Sequence, residues 1–261
     1  MKVGVSTASL FGREYNEDAL LTLDKIGAGV VEIFLESFCE YKEDYARLLK
    51  SRLGNLKVHS IHTLNTHYEP QLFSSNDRSY NDAVKIFKDV LKCAKILDAE
   101  NNTFHGRIRI KRANFSNYEE TGNYFNKLDN LAKGYGVSVC LENVEWAMYN
   151  QVGYFKKLMP YAPNLRACLD IKQARLSGYD YRGYLDEMAP RLNTVHISDY
   201  DENGKIVLPG KGLFDFEKLI NELVEIDFNG AILIEVYKDS YRNIEELGDS
   251  LEYVRNIIKR G

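Results

Sequence analysis

Four residues of ligating type stand at the ends of short apolar runs in the second half of the chain: Glu142 in VCLEN, Asp170 in ACLDI, His196 in TVHIS and Glu235 in ILIEV. A carboxylate after one apolar run is ordinary. Four such residues closing consecutive runs are a different matter if the runs are strands that turn their ends toward one axis, because all four side chains then reach one ion. Three carboxylates and one imidazole form a hard, oxygen-rich set, suited to one divalent metal ion, Mn2+, Mg2+ or Co2+, with Zn2+ also compatible. Two residues before each ligand stand Cys140, Cys168, Thr194 and Leu233, small or apolar enough to fill a barrel interior, so the period of two points the ligands inward.

The elements needed to hold such a site are legible along the chain. Strand candidates are 2 to 6, 29 to 35, 57 to 62, 101 to 106, 137 to 143, 166 to 171, 194 to 198 and 231 to 236. Between them, stretches such as DALLTLDKIGA, DAVKIFKDVLKCAKILDA and FEKLINELVEI repeat apolar residues three or four apart, as outer helices do. Gly54, Gly136 and Gly230 precede strands where a left-handed turn commonly stops a helix. Eight strand-helix pairs in 261 residues predict an α/β fold, one (β/α)8 TIM barrel spanning residues 1 to 261 as a single domain. Residues 63 to 80 form a longer polar and aromatic loop after the third strand, readable as a substrate lid or as a plain connector.

The runs LEN, LDIKQA, VHISD, LPGKG and IEVY, in that order at the ends of the last four strands, resemble the xylose-isomerase-like barrels, a superfamily of sugar and sugar-phosphate isomerases and epimerases that also contains endonuclease IV. The resemblance covers essentially the whole chain. It implies that Glu142, Asp170, His196 and Glu235 hold one catalytic metal, and that Glu142 and Glu235 are the acid and base on opposite sides of an acidic carbon. The implied reaction is isomerisation or epimerisation of a small sugar, sugar phosphate or polyol by proton transfer through a metal-stabilised enediolate.

Departures from the family pattern matter as well. Gln173 stands where many relatives have histidine, and an amide carries no proton near neutral pH. Glu202 replaces the arginine with which ketose epimerases grip substrate. These two positions keep open a lyase or dehydratase using the same residues, and a sugar-binding member without turnover. An endonuclease IV-like reading matches His62 and His105 but lacks the strand-6 histidine and the Asp-x-His pair that a three-metal site needs.

His62, His105, Asn143, Trp146, Lys172, Gln173 and Lys211 are candidate substrate contacts, and Asp199 is a candidate for orienting His196. Each has a structural alternative: Trp146 as interface or core filler, Lys172 as a solvated cation, Asp199 as a strand-end cap. The Gly210-Lys211-Gly212 turn opens a helix, where N–H groups attract anions; Arg107 and Arg109 are further candidates for an anionic substrate. His59 has the opposite parity to His62 and is expected to pack against a helix, while His67 has no assignable role.

Composition excludes several partners. With 34 Lys+Arg against 38 Asp+Glu, a formal charge of -4, the chain offers no cationic excess for a phosphate backbone or anionic bilayer. No apolar run approaches about 18 residues and no signal-like leader is present, so a cytoplasmic protein that does not span a membrane is expected, as a monomer or homo-oligomer. Cys39, Cys93, Cys140 and Cys168 are widely spaced and predict free buried thiols.

Overall fold

The computed structural model describes residues 1–109 and 117–260. Eight parallel strands close a barrel in the order β1 (Lys2–Ser6), β2 (Val30–Leu35), β3 (Lys57–Thr63), β4 (Asn101–Phe104), β5 (Ser138–Glu142), β6 (Arg166–Asp170), β7 (Leu192–Ile197) and β10 (Ala231–Ile234), the last pairing back onto β1. A small antiparallel ribbon of β8 (Asp199–Tyr200) and β9 (Ile206–Val207) follows β7. The helices are α1 (Asn16–Lys25), α2 (Glu43–Arg52), α3 (Asp77–Ile96), α4 (Tyr118–Lys133), α5 (Tyr154–Leu158), α6 (Ile171–Leu176), α7 (Tyr181–Met188), α8 (Phe216–Glu225) and α9 (Ile244–Arg260). This is a (β/α)8 TIM barrel, and none of its described helices is long and apolar enough to cross a membrane.

The two faces of the strands carry different chemistry. Outward residues Val31, Ile33, Leu35, Val139, Leu141, Leu169, Val195, Ile232 and Ile234 join helix residues such as Leu20, Leu23, Phe87, Leu128, Leu219 and Leu251 in one buried apolar cluster. Burial of this shell stabilises the fold at about 25 cal/mol per Å² of apolar surface removed from water. The inward residues Cys140, Cys168, Thr194 and Leu233 are fully buried but stand outside that cluster, and Ser6, Glu32, Ser60, Asn101 and Thr103 give the rest of the interior a polar character.

Three local expectations need correction. The pairing of β2 with β3 shifts register after Val31 and Val58, so that Glu32 pairs with Ser60. The extra residue in β3 is a bulge, and it turns His59 into the barrel, where its Nε2 lies 2.9 Å from Thr194 Oγ1 of β7. Alternation alone had placed His59 against a helix. Gly54 and Gly136 do adopt positive φ, but Gly230 does not; Asp227 takes the left-handed turn after α8 (φ 54°). Gly230 answers to a close approach instead, because a Cβ there would lie 1.9 Å from the Asn193 carbonyl oxygen. Of the free cysteines, Cys93, Cys140 and Cys168 are buried, whereas Cys39 is exposed.

Candidate metal centre

Glu142 is the last residue of β5, Asp170 the last of β6, His196 lies one residue before the end of β7, and Glu235 follows β10 directly. These strands are neighbours, and register pairs Asp170 with His196 and Glu142 with Cys168, so the side chains rise at similar height. One ligating atom from each of the four residues lies within 4.8 Å of the others. His196 Nδ1 is 3.1 Å from Glu142 Oε1 and 3.3 Å from Glu235 Oε2. Glu142 Oε2, Asp170 Oδ2 and Glu235 Oε2 are buried without a hydrogen-bond partner. Three orphaned carboxylate oxygens converging in one place are costly unless a cation sits among them, so the donor set fits a divalent ion. Cys168 Sγ lies near Glu142 and His196 as well. Burial pushes its thiol well above the usual range, leaving oxygen and nitrogen as the ready ligands.

Local structure fixes each ligand. Asp170 caps α6, its Oδ1 accepting from Gln173 N at 2.8 Å, which leaves Oδ2 for the centre. Burial raises the Asp170 carboxyl to about 6, with Glu142 and Glu235 pushing the same way and Lys172 opposing. Lys172 is itself interior, its Nζ 3.4 Å from Glu235 Oε1, 3.6 Å from Asp170 Oδ2 and 4.9 Å from the centre of the Tyr237 ring. Burial alone would lower the ammonium, but Asp170 and Glu235 raise it above its ordinary value, so it stays charged.

Above the centre opens a cavity of about 550 Å³ at the carboxyl ends of the strands. Glu142 and Glu235 both line it, whereas Asp170 and His196 do not. His62, His105, Lys172 and Gln173 supply further polar groups, and Phe11, Phe34, Ile108, Trp146 and Tyr237 form apolar walls. Trp146 is 37% exposed and its ring lies 5.1 Å from that of His105, so it is a cavity wall and not core filler. His62 Nε2 and His105 Nε2 are 2.9 Å apart, and lie 3.9 and 3.5 Å from Glu142 Oε2. Burial would lower the His62 imidazole, but Glu32, Glu142 and Glu235 raise it to about 9.

Three expected site residues lie elsewhere. Asn143 is fully buried and absent from the cavity lining; it staples β5 to β6, donating to Asp170 O and accepting from Asp170 N. Lys211 is exposed and outside the cavity. The carboxylate of Asp199 accepts from the backbone N–H groups of Tyr200, Gly210, Gly212 and Phe214, so it organises the turn and does not face His196. Asx-type capture of a glycine turn is not visible from spacing alone. Loop 63 to 80 is no free lid: Tyr68, Glu69 and Leu72 are wholly buried, while Thr63 to Thr66 line the cavity.

Two carboxylates escaped the sequence reading. Glu69, fully buried, accepts from the N–H groups of His105 and Gly106 and lies 3.3 Å from His105 Nδ1. Glu32, also fully buried, accepts from Ser6, Ser60 and Thr103, and its Oε1 lies 3.1 Å from both His62 Nδ1 and His196 Nε2. Burial alone would raise this carboxyl, but the two imidazoles hold it well below the usual value. A lone acid inside the apolar run VVEIFL was its signal.

Known proteins share this architecture. Among solved structures, a D-tagatose 3-epimerase-like protein superposes with a TM-score of 0.80 at 18% identity, covering 100% of this chain and 99% of that one. The IOLI protein with a binding zinc atom superposes with a TM-score of 0.81 at 17% identity, again covering 100% and 99%. At these identities the likeness concerns the fold. An inosose dehydratase of Geobacillus kaustophilus (strain HTA426) is 30% identical over a stretch that covers 30% of this chain and only 31% of that relative. The family model described as xylose isomerase-like TIM barrel matches residues 21–257, and the chain therefore belongs to that family.

Proposed function

We propose that this protein is a divalent-metal-dependent isomerase or epimerase of a small polyhydroxy ketone, with Glu142, Asp170, His196 and Glu235 holding the ion and Glu142 and Glu235 serving as acid and base. The observation that carries the reading is that, of the four converging residues, only the two glutamates also line the cavity. They come from β5 and from the end of β10, the two extremes of the ligand arc, with β6 and β7 between them. A bound ion would supply Lewis acidity, which makes a carbon-bound proton next to a carbonyl removable at neutral pH. One glutamate then takes that proton, and the other returns a proton from the opposite side. His62 and His105 offer hydrogen bonds to hydroxyls, while Trp146, Phe34 and Phe11 wall the apolar face of a sugar ring and exclude water.

Among the described residues Lys172 is the one Lys or Arg lining the cavity, and its Nζ already faces Asp170 and Glu235, which favours an unphosphorylated substrate. The N–H groups of Gly210 and Gly212 are already taken by Asp199 and that of Lys211 by the Leu208 carbonyl, and Arg109 points its guanidinium at Glu145. A second reading, elimination of water, is favoured by Lys172, a buried ammonium lining the cavity that can hydrogen-bond a departing hydroxyl and balance the charge that develops on it. The similarity to inosose dehydratase agrees with it.

The test is hydrogen exchange. Metal-loaded protein incubated in deuterated water with a panel of ketoses and inositol-derived ketones should place deuterium on one carbon of an accepted substrate. Loss of water with formation of an unsaturated ketone assigns the lyase reaction instead. Metal binding with neither outcome on any panel member refutes the enzymatic reading and leaves a sugar-binding protein.

A further inference from the structure

Glu32 sits on β2, across the barrel from the ligand arc, and nothing in the metal-site reading uses it. It is 0% exposed. Its Oε2 accepts from Ser60 Oγ at 2.7 Å and Thr103 Oγ1 at 2.6 Å, and its Oε1 from Ser6 Oγ at 3.0 Å. Three hydroxyl donors from three strands thus lock the carboxylate in one orientation. Outward neighbours Val31 and Ile33 already pack the strand against the helices, so an acid here has no role in apolar packing. A buried charge with no cation to balance it costs several kcal/mol.

What the locked carboxylate addresses is an edge of an imidazole. His196 presents Nδ1 to Glu142 and Glu235, at 3.1 and 3.3 Å, and Nε2 to Glu32 Oε1 at 3.1 Å. A neutral imidazole carries one proton on one of these nitrogens. A proton on Nδ1 would point at the ion and close that position; a proton on Nε2 lies beside the Glu32 carboxylate, 3.1 Å away and off the straight line of a hydrogen bond, so the contact favours it as an ion pair does. Metal-bound histidines commonly hand their second N–H to such a group, which fixes the ring and strengthens it as a donor.

We propose that Glu32 is a positioning residue of the metal centre, which holds the proton of His196 on Nε2 and thereby makes Nδ1 the ligating atom. The inference rests on the metal-site reading above. The same Oε1 lies 3.1 Å from His62 Nδ1, so one carboxylate orients two rings and turns His62 Nε2 toward His105 and the cavity. Asp199, the acid nearer to His196 in sequence, is occupied by the 210 to 214 turn and leaves this role to a residue on the far side of the barrel.

Two measurements test it. Nitrogen-15 spectra of the imidazoles in zinc-loaded wild-type protein should show His196 protonated at Nε2 and ligating through Nδ1; the reverse assignment overturns the proposal, and this reading needs no variant. Titration of Mn2+ into metal-stripped Glu32→Gln should show affinity about 10- to 100-fold weaker than wild type. The amide is isosteric and keeps partners for the three hydroxyls, so the stripped variant should melt close to wild type. Wild-type affinity in the variant overturns the proposal, as does a variant whose affinity is unchanged while its stripped form is destabilised, the pattern of a purely structural residue. A wild type that binds no divalent ion refutes the metal centre itself, and so is told apart from failure of the Glu32 inference alone.

Discussion

Lys172 occupies the part of the molecule where a metal's positive charge is needed, which makes Lys172→Met a revealing substitution. Its Nζ faces Glu235 Oε1 at 3.4 Å and Asp170 Oδ2 at 3.6 Å. At an effective dielectric of about 20, each contact is a gross attraction of about 5 kcal/mol. Much of that is offset by the cost of burying the charges, and breaking a buried pair by removing one partner costs a net of about 3–5 kcal/mol. The metal-stripped variant should therefore melt roughly 6–20 °C lower, at about 2–4 °C per kcal/mol. A bound ion neutralises the same carboxylates, so the loaded form should lose only about 1 kcal/mol of packing. The thermodynamic cycle then leaves about 2–4 kcal/mol in favour of binding, an affinity roughly 30- to 1,000-fold tighter than wild type. Calorimetric titration of Mn2+ combined with melting of stripped and loaded protein reads all four corners. Weaker binding in the variant, or equal destabilisation of both forms, would refute the reasoning.

Glu235→Gln removes a ligand charge and one half of the acid/base pair. Substrate hydrogen exchange should fall by at least about a hundredfold, checked in deuterated water at saturating metal so that weakened ion binding does not masquerade as lost chemistry. In stripped protein Asp170 keeps a proton up to about pH 6, and against the effect of burial the Cys168 sulfur, with Glu32 and Glu235, holds the His196 proton well above the usual imidazole range. An ion must displace both, so apparent affinity should rise about tenfold per pH unit above 6 and about a hundredfold per unit below it; a flat profile between pH 5 and 8 contradicts the assignment. Trp146→Ala opens the apolar wall beside His105 and should raise KM roughly tenfold with little change in kcat, as expected of a contact made equally in ground and transition states.

Residues on regular strands were legible and residues in turns were not. Glu142, Asp170 and His196 end strands whose period of two leaves only one direction for the side chain, and Glu235 inherits its direction from β10. Asn143, Asp199 and Lys211 have the right chemistry for the site, but beyond the strand ends backbone hydrogen bonding decides where a side chain goes. Asn143 was claimed by the Asp170 backbone and Asp199 by four N–H groups. His59 was misplaced because a single inserted residue inverts parity, and no local composition announces a bulge in KVHSIH. Glu32 and Glu69 were missed for a different reason: their partners come from other strands and loops, and only closure of the barrel brings them together.

The division between a greasy outer shell and a hydrophilic lumen has a bearing on how widely sequences can differ within one fold. Much of the cohesion of the scaffold resides in strand-to-helix contacts, so a lumen residue can change without disturbing that apolar shell, provided its buried polar and charged partners change with it. Proteins whose structures superpose over the full length at 17–18% identity are the outcome to be expected from such a partition. New chemistry is acquired by re-lining the tube, while the hoops that bind it stay as they were.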